Sequence, residues 1–199
     1  SGGRLTIKVY SAGELVPALE CLGAVANGTA QMGHDAAYYH AGKSEGCAFF
    51  TAFPFGFTMG EMAAWIKHGN GQKLWDELYA PFGLRGFQAG STGTQMFGWF
   101  RREIRGLADL QGLKFRAPGN QGRVLQKLGV IPVSLPGGEI FPALQSGAID
   151  GAEWVGPYND LALGFYQVCR YYYSPGYHEP GPALQLTINE QAWRSLTPE

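Results

Sequence analysis

Polar and apolar residues alternate from Arg4 to Tyr10, which predicts a half-buried strand with Leu5, Ile7 and Val9 on one face. Pro17 then opens a helical pattern carrying Leu19, Leu22, Val25 and Ala26, and Asn27-Gly28 supplies its stop. Gln31-Met32-Gly33 reads as a second strand that runs into a loop containing Tyr38, Tyr39 and His40. Loops that follow strands are where α/β sheets bind ligands. Thr58 and Glu61 have capping-box spacing ahead of Met62, Trp65 and Ile66, and a helix near 72–79 is predicted to bury Leu74, Trp75 and Leu78.

Gly83 to Ala89 and Thr94 to Phe100 read as strands separated by Gly90-Ser91-Thr92-Gly93, a run suited to an interdomain hinge. Beyond it strand and helix alternate. A strand over Leu113 to Ala117 precedes a helix with Val124, Leu125 and Leu128 that Gly129 ends. A strand over Val130 to Ser134, a helix over Gly138 to Ser146 ended by Gly147, and a strand over Ala148 to Asp150 follow. Such alternation predicts βαβ crossovers and mainly parallel sheets, an α/β fold. Pro182 to Ile188 is a last strand, and Asn189 is placed to cap a helix after it.

Composition narrows the function classes. The 199 residues are 45% hydrophobic, enough for a real core, with 30 glycines, 12 prolines and 14% aromatic residues. That mixture suits short α/β units with loops around a cleft. A formal charge of −1 without a long Lys/Arg run argues against nucleic acid or an anionic membrane as partner. No stretch approaches the roughly 18 apolar residues of a spanning helix, and Ser1-Gly2-Gly3-Arg4 has no signal-peptide hydrophobic region. Cys21, Cys47 and Cys169 are widely spaced without a CxxC pair, so they suggest neither zinc nor a disulfide framework. His34, His40, His68 and His178 form no metal-ligand pair, and Gly90-Ser91-Thr92-Gly93 is not GxSxG. No catalytic set assembles, so the chain is not expected to be an enzyme.

Arg116 ends a predicted strand just before Pro118-Gly119, where its guanidinium could reach a cleft and grip a carboxylate with two parallel hydrogen bonds. Position alone equally fits a surface arginine paired with Asp or Glu. Tyr38 and Tyr39 stand in the loop that would face it, as ligand contacts or as packing. Phe53-Pro54-Phe55 and Trp99 read either as an apolar wall or as core.

Three segments in this order resemble the DctP-type solute receptors of TRAP transporters. They are Gly93-Thr94-Gln95-Met96-Phe97-Gly98-Trp99-Phe100, then Leu107 to Ala117 with its L-x-D-L-x-G-L-K-F-R pattern, then Gly147 to Trp154. Trp154-Val155-Gly156-Pro157-Tyr158, Tyr171-Tyr172-Tyr173 and Ser174-Pro175-Gly176-Tyr177 look closer to the branch that binds 2-oxo acids. The resemblance implies a periplasmic binding protein of two α/β lobes, residues 1–92 with 180–199 and residues 93–179, closing on a small organic acid. It also implies TRAP membrane permease subunits as partners.

Residue by residue, the resemblance places the solute carboxylate on Arg116, with Gln95, Glu153 and Trp154 around the ligand and a bridging metal ion. A carboxylate, an amide oxygen and a backbone carbonyl are donors that sodium or calcium prefers. Gln185 is a candidate fourth donor, and Tyr38 or Tyr39 would close from the other lobe. The family's secretion signal, first strand and first helix, and its helix beyond the final residue, fall outside this sequence. An incomplete first lobe would expose a sheet edge, so the alternative expectation is a non-binding homo-oligomeric or interaction module.

Overall fold

The computed structural model describes residues 2–196. Ser1 and residues 197–199, expected in the first lobe, lie outside them. A short 3-10 turn at Ala18–Glu20 leads into α1 (Cys21–Ala26), β1 (Met32–Asp35), α2 (Met59–His68), α3 (Gly71–Tyr79) and β2 (Leu84–Ser91). Then come β3 (Gly98–Phe100), β4 (Lys114–Arg116), α4 (Gly119–Lys127), β5 (Ile131–Val133), α5 (Gly137–Ser146) and β6 (Gly151–Ala152). The chain ends through α6 (Pro157–Leu163), β7 (Tyr171–Tyr173), β8 (Ala183–Asn189) and α7 (Glu190–Arg194).

Two sheets organise these elements. One has three strands in the order β1-β8-β2, the other five in the order β5-β4-β6-β3-β7. The α/β expectation holds, but the sheets are mixed rather than mainly parallel. β8 pairs antiparallel with both neighbours, and among the described residues parallel ladders join only β4 to β5 and β4 to β6. The reason is topological: β8 returns to the first sheet after the whole second sheet has formed, and it enters between β1 and β2 against their direction.

Local signals were reliable where they rest on hydrogen bonding. The Glu61 carboxylate accepts from the Thr58 N–H at 2.8 Å and completes the capping box of α2. Asn189 Oδ1 accepts from the N–H groups of Gln191 and Ala192 and starts α7. Signals that rest on tertiary pairing were less so. Residues 4–10 belong to no described strand, and Ile7 and Val9 are exposed. Alternation specifies which side chains would share a face, but a strand also needs a neighbour for its backbone groups. Similarly, Leu74 and Val124 are exposed, because α3 and α4 bury narrower stripes around Trp75 with Tyr79 and around Leu125.

Each sheet has its own core. Phe50 stacks between Trp65 and Trp75 beneath the first sheet, and Phe97, Phe100 and Phe115 stack beneath the second. Of these, Phe50, Trp75, Phe100 and Phe115 are buried and contribute roughly 1.5–3 kcal/mol each, so both walls of the space between the sheets are firmly supported. The expected strand over Thr94 to Phe100 shortens to β3 because its first half threads between crossing segments. Gln95, Met96 and Phe97 donate their N–H groups to the carbonyls of Glu179, Val155 and Tyr173 in turn.

Candidate functional site

Arg116 is the last residue of β4, and its parallel register with β6 sets it opposite Ala152. The next residue along the chain, Glu153, therefore leaves β6 at the carboxyl end of the sheet beside the guanidinium. Arg116 is 1% exposed. Its Nε donates to the Leu135 carbonyl at 3.1 Å, and its Nη1 donates to the Glu153 carbonyl and to Glu153 Oε1. Its Nη2 donates to the Tyr39 hydroxyl at 3.0 Å, and the Trp154 ring lies 5.1 Å away on its face. Burial works against the charge, but Glu153 and the flanking tyrosines outweigh it and keep the guanidinium protonated.

The facing wall comes from the first sheet. Tyr38 and Tyr39 sit in a 3-10 turn at Ala37–His40 that directly follows β1. Their rings meet edge to face at 4.8 Å. Tyr38 also lies against Gly119, where φ is +61° and a Cβ would fall 3.2 Å from the ring. Glycine is favoured there by the left-handed backbone, and a side chain would press on the Tyr38 ring. Between the walls is a cavity of about 280 Å³, bounded by Arg116 and Trp154 on one side and by Tyr38, Tyr39 and Leu184 on the other.

Buried polar atoms without hydrogen-bond partners lie in and beside the residues that line this cavity. Gln95 donates through Nε2 to Thr92 at 3.1 Å, but its Oε1 is buried without a hydrogen-bond partner. Glu153 Oε2 and Glu179 Oε2 are buried in the same condition. The ligand atoms of Glu153, His178 and Glu179 lie within 4.8 Å of one another. Burial, and then the nearby Glu153 charge, push the Glu179 carboxyl well above the usual carboxylate range. Arg116 meets the Glu153 charge through Oε1, but the remaining buried acceptor atoms are unmet, which is costly in a dry place. Such a set fits a hard cation such as sodium or calcium, which takes oxygen donors.

The structure thus brings together Arg116, Gln95, Glu153, Trp154, Tyr38 and Tyr39. Gln185 is not among them. It lies on β8 inside the first sheet, where its Oε1 accepts from the Tyr79 hydroxyl and its Nε2 donates to Asp35, both at 2.6 Å. Both ends of its amide are engaged. The acidic residue that does reach the site is Glu179, with His178 beside it. Sequence reasoning did not single out Glu179 and set His178 aside as part of no metal-ligand pair, although the two stand just before Pro180 and the apolar run of β8. Phe53 and Phe55 are exposed, and Trp99 packs on Tyr172 at 3.9 Å away from the cavity. Of the two readings, core fits Trp99, and none of the three lines the cavity.

Comparison with known proteins agrees with this geometry. The model of bacterial extracellular solute-binding protein, family 7 (DctP), matches residues 1–199. A monocarboxylate 2-oxoacid-binding periplasmic protein of Nostoc sp. is 49% identical over 199 residues, all of this chain and 55% of that protein. A TRAP solute-binding protein from Bordetella bronchiseptica, described with copurified calcium and picolinate, superposes with a TM-score of 0.97 at 42% identity. That match covers 99% of this chain and 59% of the other. A Pseudoalteromonas atlantica protein with bound sodium and pyruvate gives 0.95 at 46% identity over 98% of this chain and 59% of the other. The chain therefore spans little more than half the length of these relatives. With the whole of its length matched, it belongs to the DctP family of bacterial extracellular solute-binding proteins.

Proposed function

We propose that this chain forms the solute cleft of a periplasmic TRAP receptor for small 2-oxo monocarboxylates, which it would hand to the membrane permease subunits. The observation that carries the reading is a fully buried guanidinium and buried oxygens of Gln95, Glu153 and Glu179 without hydrogen-bond partners, next to a 280 Å³ cavity that Arg116, Gln95 and Glu179 help to line. The relatives from Nostoc and Pseudoalteromonas support it, being described respectively as 2-oxoacid-binding and as carrying sodium and pyruvate. In this reading residues 1–92 with 180–199 and residues 93–179 are the two lobes, and Tyr38 and Tyr39 reach the second from the first.

Each partner then has one task. Arg116 takes the ligand carboxylate, for which its planar fork is matched. A sodium or calcium ion would be held by Gln95 Oε1, the carboxylates of Glu153 and Glu179 and the backbone carbonyl of Trp154, and would supply charge to orient the ligand's oxygens. Tyr39, already bonded to Arg116, closes the opposite side.

Calorimetric titration of pyruvate into the protein with calcium, with sodium and after chelation tests this. Heat of binding that depends on the cation is expected. No heat under any of the three conditions overturns the reading.

A further inference from the structure

Outside the set described above stands Asp160, a buried carboxylate that no role above uses. It is 1% exposed on α6 and accepts four hydrogen bonds, all from neutral donors. Oδ1 takes the backbone N–H groups of Val155 and Gly156, both at 3.1 Å. Oδ2 takes the Trp99 indole at 2.9 Å and the Tyr172 hydroxyl at 2.8 Å. The Trp99 and Tyr172 rings stack on each other, so Oδ2 is fixed to β3 and β7 while Oδ1 holds the turn after Trp154.

The peptide between Trp154 and Val155 is trans and planar, so its C=O and N–H point in opposite directions. Val155 gives its N–H to Asp160, and the Trp154 carbonyl must therefore point away from Asp160. The neighbouring peptide already behaves in this way. Gly156 donates its N–H to Asp160, while the Val155 carbonyl on its other side accepts from Met96, next to Gln95. Trp154 and Val155 both border the cavity. A carboxylate bonded to an amide N–H also polarises the carbonyl of that amide, making its oxygen a better donor to a cation.

We propose that Asp160 is the positioning residue of the cation site: by gripping the Val155 and Gly156 amides it aims and polarises the Trp154 carbonyl. This rests on the cation site proposed above. Metal sites depend on such outer residues, whose loss lowers affinity by roughly 10–100-fold. Trp99 and Tyr172 act one step further out, anchoring Asp160 through its other oxygen.

Calcium affinity, measured by calorimetry without any organic acid, provides the test in wild type, Asp160→Asn, Asp160→Ala and Tyr172→Phe, alongside thermal midpoints in calcium-free buffer. Asp160→Asn keeps an acceptor but loses the charge, and about 10-fold weaker calcium binding is expected, with a larger loss in Asp160→Ala. Tyr172→Phe removes only an Oδ2 bond, so it should lower the thermal midpoint while calcium binding stays within about twofold of wild type. Wild-type affinity in both Asp160 variants overturns the inference. So does a loss in Tyr172→Phe equal to that in Asp160→Ala, which would mark general destabilisation. Absence of calcium binding in wild type overturns this inference, whereas the proposed function is decided separately by the pyruvate titrations in calcium and in sodium.

Discussion

Arg116 and Glu153 form a buried ion pair across neighbouring parallel strands, with Nη1 of the arginine donating to both the carboxylate and the carbonyl of the glutamate. Both side chains are essentially inaccessible, at 1% and 0%. Neither charge can lose its partner cheaply, since an unpaired buried charge costs roughly 3–5 kcal/mol. A carboxylate ligand arriving alone would take Arg116 and strand Glu153, and a cation alone would do the reverse. Together they replace one neutral pair with two. Acid and cation are therefore expected to bind with positive coupling of about 1–3 kcal/mol. A double titration, pyruvate against calcium concentration, measures it, and independent affinities would contradict this reading.

Tyr39 reaches the site from the opposite wall and bonds Arg116 Nη2 at 3.0 Å. Tyr39→Phe leaves the ring and removes one charge-assisted hydrogen bond, worth about 1.5–3 kcal/mol. Pyruvate affinity is expected to fall about 10-fold or more, with little change in calcium affinity, when the two are titrated separately. Equal losses for both ligands would show that Tyr39 supports the site as a whole.

Gln185 provides the opposite case. Its amide joins the Tyr79 hydroxyl to Asp35 inside the first core, and substitution leaves both without that partner. Gln185→Ala is expected to lower stability by about 1–3 kcal/mol in chemical denaturation. Calcium affinity in the folded variant should match that of wild type, whereas a selective loss would restore Gln185 as a donor.

How much of this was legible in the sequence follows from which interactions are local. The α2 capping box, the Asn189 cap and the glycine stops at Gly129 and Gly147 involve residues a few positions apart, and their identities suffice. Arg116, Gln95 and Glu153 were singled out because they lie in recognisable strings. The substitution of Glu179 for Gln185 was not legible. The two are six positions apart on one polar-apolar stretch, and only the packing of Gln95 against the Glu179 carbonyl decides which faces the cavity. Nor did the alternation at Arg4 to Tyr10 say whether a neighbour would pair with it.

On the first sheet's outer edge, Glu190 accepts from Arg85 Nε at 2.7 Å and from Arg194 Nε at 2.8 Å, which ties α7 to β2. Hydrogen bonds from the two arginines hold its carboxyl below the usual range. A depressed acid contributes stability that is complete above its unfolded value of about 4.5 and disappears as pH falls through the lower folded value. Glu190→Gln is therefore expected to lose at most about 1 kcal/mol near neutrality, an exposed pair's worth, and nothing at the acid end. Denaturation at a series of pH values checks it, and a deficit that persists in acid would contradict the assignment.

The central claim is that Arg116 holds the carboxylate of a 2-oxo acid. Its most direct test is titration of pyruvate into calcium-loaded wild type and Arg116→Ala, after circular dichroism has confirmed that both are folded. The account predicts saturable binding to wild type and none to the variant over the same concentration range. Pyruvate affinity retained in Arg116→Ala would contradict it.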